Sequence, residues 1–517
     1  MREPFAAVTR RLARCAVLAL TPALLLGCLS CSQRPDPHTL VMLIESSPTN
    51  LDPRVGTDGQ SERIYELIFD ALLRRDEHFN VQPGLAESWE APDPLRYVFH
   101  LRHCVRFHNG QALTSRDVKW TFDSLLQGTI PSTKKATYKY VESVEAPDDN
   151  TVIFHLKEPF ATLPWNLSEG AIGIVPYGSG TEISASPIGS GPFRFVSAAQ
   201  DQDVVVARND DYWGAEPKLS SVRFLVVPDE TTRALELRKG SADVASNAFS
   251  ADVAAVLAED KGLEVLRAPG TIYSYLAFNL RDPILQDVRV RQAVAYTIDR
   301  RPLIESLWRN QVHPADSILP PQSWAYSNKV LHYEHDLAKA AELLDAAGYP
   351  LRNGERFHLT MKTSTDGTTR LMAAVLQQQL AQAGIILEIR SFESATFLAD
   401  VAKGVFQFYS LRWIGGNQDP DMFEAVFHSS KFPPNGANRG HYSNPHVDAL
   451  IDEGRRTLDL EHRKAIYAEL QSILATDLPY VHLWYVDNVI VHTRRVRGIT
   501  LNPSGNYDFL QTAELAP

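Results

Sequence analysis

The chain has 517 residues, 44% of them hydrophobic and 22% charged. That profile fits roughly three domains of globular chain and excludes a disordered or fibrous one. Its 51 Lys and Arg are outnumbered by 62 Asp and Glu, giving a net charge of -11. No basic excess is available to neutralise a phosphate backbone, so nucleic-acid partners are excluded.

At the N-terminus, Arg2, Arg10, Arg11 and Arg14 precede an apolar stretch from Cys15 to Leu26 that ends at Gly27 and Cys28. The stretch is shorter than the roughly 20 residues a membrane-spanning helix needs, and its basic flank followed by a small residue reads as a signal peptide over 1–27. Leu25-Leu26-Gly27-Cys28 resembles the lipobox of bacterial lipoproteins, in which the cysteine is lipidated and becomes the first mature residue. Cleavage there removes four Arg and one Glu and takes the net charge from -11 to -14. Residues 28–38, polar and interrupted by Pro35 and Pro37, read as a lipidated tether. Of the remaining cysteines, Cys31 lies in that tether, so no disulfide with Cys104 is expected.

Further along, Tyr97, Phe99, Leu101, Val105 and Phe107 predict one face of a strand over 97–107, and Asn109-Gly110 predicts a turn after it. Thr114 to Asp117 fits a capping box, with Val118, Phe122 and Leu125 at helical spacing behind it. In the second half, Asp336 caps a helix through Leu337, Ala340, Leu344 and Ala347, stopped by Gly348. Phe357, Leu359 and Met361 alternate as a strand, Arg370 to Ala383 follows as a helix closed by Gly384, and Ile385, Leu387 and Ile389 alternate again. A helix near Ala395 to Lys403 leads to an apolar strand over Val405 to Leu411. This succession predicts a mostly parallel α/β sheet, with ligands off the carboxyl ends of its strands. The loop after Leu411 is therefore the expected site.

Catalytic and metal motifs are weak. His100, Cys104 and His108 would stand about 13 Å apart along an extended strand, too far for ligands that must each approach a metal to about 2 Å. Tyr333 stands where the zinc motif built from His332 needs a Glu, and Gly189-Ser190-Gly191 lacks the spacing of a nucleophile elbow. Asp419, Asp421 and Glu424 lack the regular oxygen spacing of a calcium loop. No catalytic residue, metal or cofactor is expected, and an exported hydrolase is the remote alternative.

Several stretches together resemble the family 5 extracellular solute-binding proteins, the peptide- and nickel-binding components of ABC importers. They are Leu51-Asp52-Pro53, Pro83-Gly84-Leu85-Ala86-Glu87-Ser88-Trp89, Phe99-His100-Leu101-Arg102, Val105 to Gly110, Leu113 to Val118, Gly189 to Phe193, Asn209 to Gly214, Phe278-Asn279, Asp287 to Ala293 and Ala346 to Tyr349. The resemblance implies a class C-like, two-lobe periplasmic binding protein fold of α/β type, closing over a central cleft. Its first lobe spans 39–275 with an inserted domain at about 61–183, its second spans 276–480, and 481–517 return to the first. The crossings are expected near Tyr273 to Asn279 and Tyr480 to Asp487. It implies a monomer that captures an oligopeptide-like solute outside the inner membrane, in the periplasm or at the cell surface, and hands it to ABC permease subunits. Only the lipid would touch the membrane.

Peptide-binding members anchor their ligand on a segment that corresponds here to Arg412 through Asp421. The Asp that pairs with the peptide amine in such members is replaced by Gly416, beside Asn417. Either Asp419 or Asp421 takes over that role, or the ligand lacks that amine; Gly416 also motivates the alternative of a non-peptide solute such as a metal chelate, haem, glutathione or a sugar. Trp413 is a candidate stacking surface, and Arg412 and Arg439 are candidates to grip a carboxylate through a bidentate fork.

Overall fold

The computed structural model describes residues 38–168, 170, 172–414 and 419–516. The expected signal peptide, Cys28 with residues 28–37 of the tether, and Gly416 and Asn417 lie outside them.

Two strands dominate the architecture: Leu263–Phe278 and Tyr480–Thr493. They pair antiparallel from Leu263 against Thr493 to Ala277 against Tyr480. At about 3.3 Å per residue a 16-residue strand reaches about 50 Å, long enough to belong to both halves of the protein. One continuous sheet path is built around this pair. On one side lie Phe408–Trp413, Phe357–Ser364 and Ile385–Phe392; on the other lie Val244–Ser246, Thr39–Ile44, Ser221–Val226, Asp203–Arg208 and Phe193–Ala199. The segments expected as crossings, Tyr273 to Asn279 and Tyr480 to Asp487, lie along these strands, with Asn279 just past the end of the first. Their register shifts between Ala268 and Ile272. Gly270 sits within that shift, where a Cβ would stand 2.4 Å from the Val486 carbonyl oxygen, so the two backbones approach more closely there than any side chain permits.

The second half contains the predicted alternation. Phe357–Ser364 runs parallel to Ile385–Phe392 and to Phe408–Trp413, whereas Phe408–Trp413 meets the long strand antiparallel. The sheet is therefore parallel over these three strands and mixed beyond them. Helix Leu337–Ala346 begins at the Asp336 cap, with Ala340 and Leu344 buried. Helix Gly367–Gln382 begins three residues before Arg370 because Asp366 accepts from Thr369 N at 2.8 Å. The strand expected over Val405 to Leu411 starts only at Phe408. The segment before it is claimed by Asn279, whose backbone N–H donates to the Gln407 carbonyl at 2.8 Å and whose Nδ2 donates to the Phe406 carbonyl at 2.9 Å.

A four-stranded sheet, Ala86–Asp93, Arg96–Leu101, Thr151–Leu156 and Val141–Asp148 in that order, carries a separate hydrophobic cluster between Leu72 and Ile174. Phe99, Phe122 and Phe154 meet edge to face at its centre. Helix Ser115–Leu126 packs there, its capping box formed by Thr114 and Asp117 as predicted. The strand predicted over 97–107 is shorter than its hydrophobic pattern. It stops at Leu101, and Cys104 adopts a φ of 66°, a left-handed conformation that ends an extended run. Val105 and Phe107 are buried from the following loop, so His100, Cys104 and His108 do not share a strand face.

Candidate functional site

Strand Phe408–Trp413 lies between the long strand Leu263–Phe278 and Phe357–Ser364, and its carboxyl end opens into the loop predicted to anchor a ligand. Because side chains alternate along a strand, Arg412 and Trp413 point to opposite faces. They enter two different environments.

The Arg412 face looks into a cavity of about 440 Å³. Segments far apart in sequence line it, among them Asn247, Ser250, Asp366 and Arg412, together with Ser274 and Asp487 of the two long strands. Burial works against the Asp366 charge, but hydrogen bonds from Thr369 and the nearby Arg412 and Arg370 guanidinium groups prevail and hold its carboxyl below the ordinary range. Asp487 goes the other way, raised by burial despite His313 Nδ1 at 2.6 Å. Ser274 Oγ, Trp308 Nε1 and Trp484 Nε1, on residues that border the cavity, are enclosed without a hydrogen-bond partner. Enclosed donors of this kind are uncommon in folded proteins.

On the opposite face, Trp413 stands against Tyr273 of the long strand and packs on an aromatic cluster. Tyr273, Tyr275 and Tyr480 stack at centroid separations of 5.4 and 4.4 Å. The Arg439 guanidinium lies 5.9 Å from the Trp413 ring centroid. Trp413 Nε1 has no hydrogen-bond partner.

The structure gives Asp419 and Asp421 separate roles. Asp421 pairs with Arg455 Nε at 2.5 Å, and Arg455 Nη1 reaches Glu424 at 3.0 Å. Burial raises the Asp421 carboxyl and Arg455 opposes it. Asp419 accepts the Asp421 backbone N–H on Oδ1 at 2.7 Å, but its enclosed Oδ2 has no partner. Burial pushes this carboxyl up to about 6, with Arg463 pulling in the other direction. Of the two substitutes considered for the missing acid at Gly416, Asp421 is tied to Arg455 through Oδ1, whereas Asp419 has an enclosed oxygen with no partner.

Sequence reasoning missed Arg455 and Arg463. Arg463 lies 5.0 Å from the ring of Trp165 and 5.1 Å from that of Trp324, and Arg455 lies 5.1 Å from Tyr140 and 5.6 Å from Phe160. The Ala161 N–H donates to the Arg455 carbonyl at 2.8 Å. Together these two arginines join the 140–165 region to the second half. Thr162 and Arg463 are 301 residues apart in sequence, so no local spacing announces the contact.

Residues 80–433 match the family described as bacterial extracellular solute-binding proteins, family 5. The chain belongs to that family. It is 28% identical over 506 residues to the dipeptide-binding protein of Escherichia coli K12, covering 91% of this chain and 94% of that one. It is 30% identical over 483 residues to the glutathione-binding protein GsiB of Pectobacterium atrosepticum, covering 91% and 93%. The structure of HbpA2 from Haemophilus parasuis superposes with a TM-score of 0.83 at 25% identity, covering 93% of this chain and 100% of that one. The fold is thus the two-lobe α/β periplasmic binding protein fold expected from sequence.

Proposed function

We propose that this protein is the extracytoplasmic solute-binding subunit of an ABC importer and that its solute is oligopeptide-like. The observation that carries this reading is family membership over most of the chain, together with a cavity lined by segments far apart in sequence. In this reading the long strands Leu263–Phe278 and Tyr480–Thr493 are the crossings between lobes, with the first lobe at 39–275, its inserted domain at about 61–183, and the second lobe at 276–480. Closure around the solute buries it, while the peptide main chain supplies generic hydrogen bonds that tolerate many side chains. Asp419 receives the amine that Gly416 does not. The protein holds its solute without transforming it, acts as a monomer, and passes the solute to permease subunits. Cys28 carries the lipid that keeps it at the membrane surface, since several acyl chains anchor stably where one does not.

A thermal-shift screen against peptides of two to nine residues tests the solute class. A ligand at 100 times its dissociation constant stabilises by about 2.7 kcal/mol, and the absence of a shift with every peptide overturns the reading. Gly416 motivates a second reading, in which the solute is not an ordinary peptide, as with a metal chelate, haem, glutathione or a sugar. Gly416→Asp strengthens binding of amine-bearing peptides in that case and leaves it unchanged where Asp419 already serves. For the anchor, Cys28→Ser releases the protein from the membrane fraction; continued sedimentation with membranes contradicts lipidation at this residue.

A further inference from the structure

Residues 139–165 meet the second half along a seam whose composition differs from that of a continuous core. Phe160 belongs to the hydrophobic cluster of the four-stranded sheet, whereas Trp324 and Tyr467 belong to another cluster across the seam. Polar and cation-to-ring contacts join the two. The Ala161 N–H donates to the Arg455 carbonyl at 2.8 Å, Arg455 Nη1 donates to the Tyr140 hydroxyl at 3.3 Å, and Arg463 Nη2 donates to Thr162 Oγ1 at 3.4 Å. Lys139 lies 3.8 Å from Glu424 and is exposed to solvent, so this ion pair adds little. The Arg455 guanidinium lies against the Tyr140 and Phe160 rings, and Trp165 stands 5.5 Å from Trp324. Among these contacts a cavity of about 270 Å³ remains, with Tyr140 and Glu158 on one wall and Lys431, Asp452 and Arg456 on the other. Polar, incompletely filled contacts of this kind mark domains that move relative to one another.

Each side also keeps its main partners when the other withdraws. Arg455 retains Asp421 and Glu424, and Arg463 retains the Gly454 carbonyl at 2.8 Å with the Trp324 and Tyr467 rings. Opposite them, the Phe79 carbonyl holds the Trp165 Nε1–H at 2.9 Å from behind. Separation therefore lets water reach both guanidinium groups and strands no charge in an apolar interior. We propose that this seam is a latch: residues 139–165 dock on Arg455 and Arg463 when the lobes close over the solute, and separate from them without unfolding when the solute enters or leaves. The proposal rests on the two-lobe reading, which places 139–165 in the first lobe and 421–463 in the second.

Hydrogen exchange of the full chain, read by mass spectrometry, tests the latch without any solute. The Ala161 amide is protected across the seam, whereas the amides of Thr151–Leu156 are protected within the four-stranded sheet. In wild type Ala161 is expected to exchange about tenfold or more faster than those sheet amides, because a docked contact opens more readily than a sheet unfolds. Tyr140→Ala combined with Trp165→Ala is expected to speed Ala161 about tenfold further, the range of lost cation–π contacts, with the sheet amides unchanged. Tyr140→Phe, which removes only the hydroxyl, is expected to speed Ala161 several-fold and replaces the double variant if that variant loosens the sheet. Ala161 exchange as slow as that of the sheet overturns the inference, since the seam would then open only with its domain. An unchanged Ala161 rate in both variants, or faster sheet exchange in Tyr140→Phe, overturns it too. A tripeptide library read by thermal shift keeps the solute reading separate: no shift with any peptide overturns that reading and leaves the exchange result to decide the latch. A tripeptide that binds, yet leaves the double variant no faster than wild type, overturns the latch and leaves the solute reading standing.

Discussion

Two regions near strand Phe408–Trp413 use the same residue types and complete them differently. Around Arg455 every charge is answered: Asp421 and Glu424 take its guanidinium, and Lys431 lies 3.0 Å from Glu424. Around Trp413 and Asp419 polar groups stand unanswered, including Trp413 Nε1 and Asp419 Oδ2. A completed network stabilises the fold that carries it, and its loss is felt in stability. An incomplete one leaves interaction free energy for a guest, and its loss is felt in affinity.

The largest expected effect breaks the completed side. Arg455 is only 9% exposed, so Arg455→Ala leaves Asp421 enclosed without its partner and destabilises the protein by about 3 kcal/mol. Urea denaturation at neutral pH measures this. A loss near zero would mean that the network is screened by solvent and the comparison is wrong.

A smaller effect comes from Asp419. Its folded value of about 6 lies above the roughly 3.9 of an unfolded Asp. The folded form therefore binds more protons between those values, and stability declines as pH climbs through that window. Asp419→Asn removes the decline. The variant is expected to gain about 1–2 kcal/mol over wild type at pH 7 and nothing near pH 3.5. An equal gain at both values would assign the effect to packing.

The smallest effect belongs to Arg412. Exposed, and not part of an enclosed network, its replacement by Gln is expected to change stability by less than about 0.5 kcal/mol, with the urea midpoint as readout.

What the sequence made legible follows the range of the forces involved. The Thr114–Asp117 box and the Asp336 cap were readable because a cap is set by residues within one helical turn. The alternation of Phe357, Leu359 and Met361 was readable because a strand with one buried face repeats every second residue. The strand ending at Leu101 was overextended because Val105 and Phe107 are apolar for the sake of a buried loop, and periodicity does not distinguish that from a strand. Arg412, Trp413 and Arg439 were legible as candidates, but their division between two faces depends on the sheet that Leu263–Phe278 completes. Arg463 between Trp165 and Trp324 was not legible at all, since only tertiary packing brings those rings together.

The central claim is that this protein retains a guest between its two halves and leaves it chemically unchanged. Native mass spectrometry of the protein purified from its own host measures this directly. The account predicts one extra mass per chain, released on denaturation as an intact peptide. A chain that carries nothing from its host, or that releases a cleaved product of an added peptide, would contradict it.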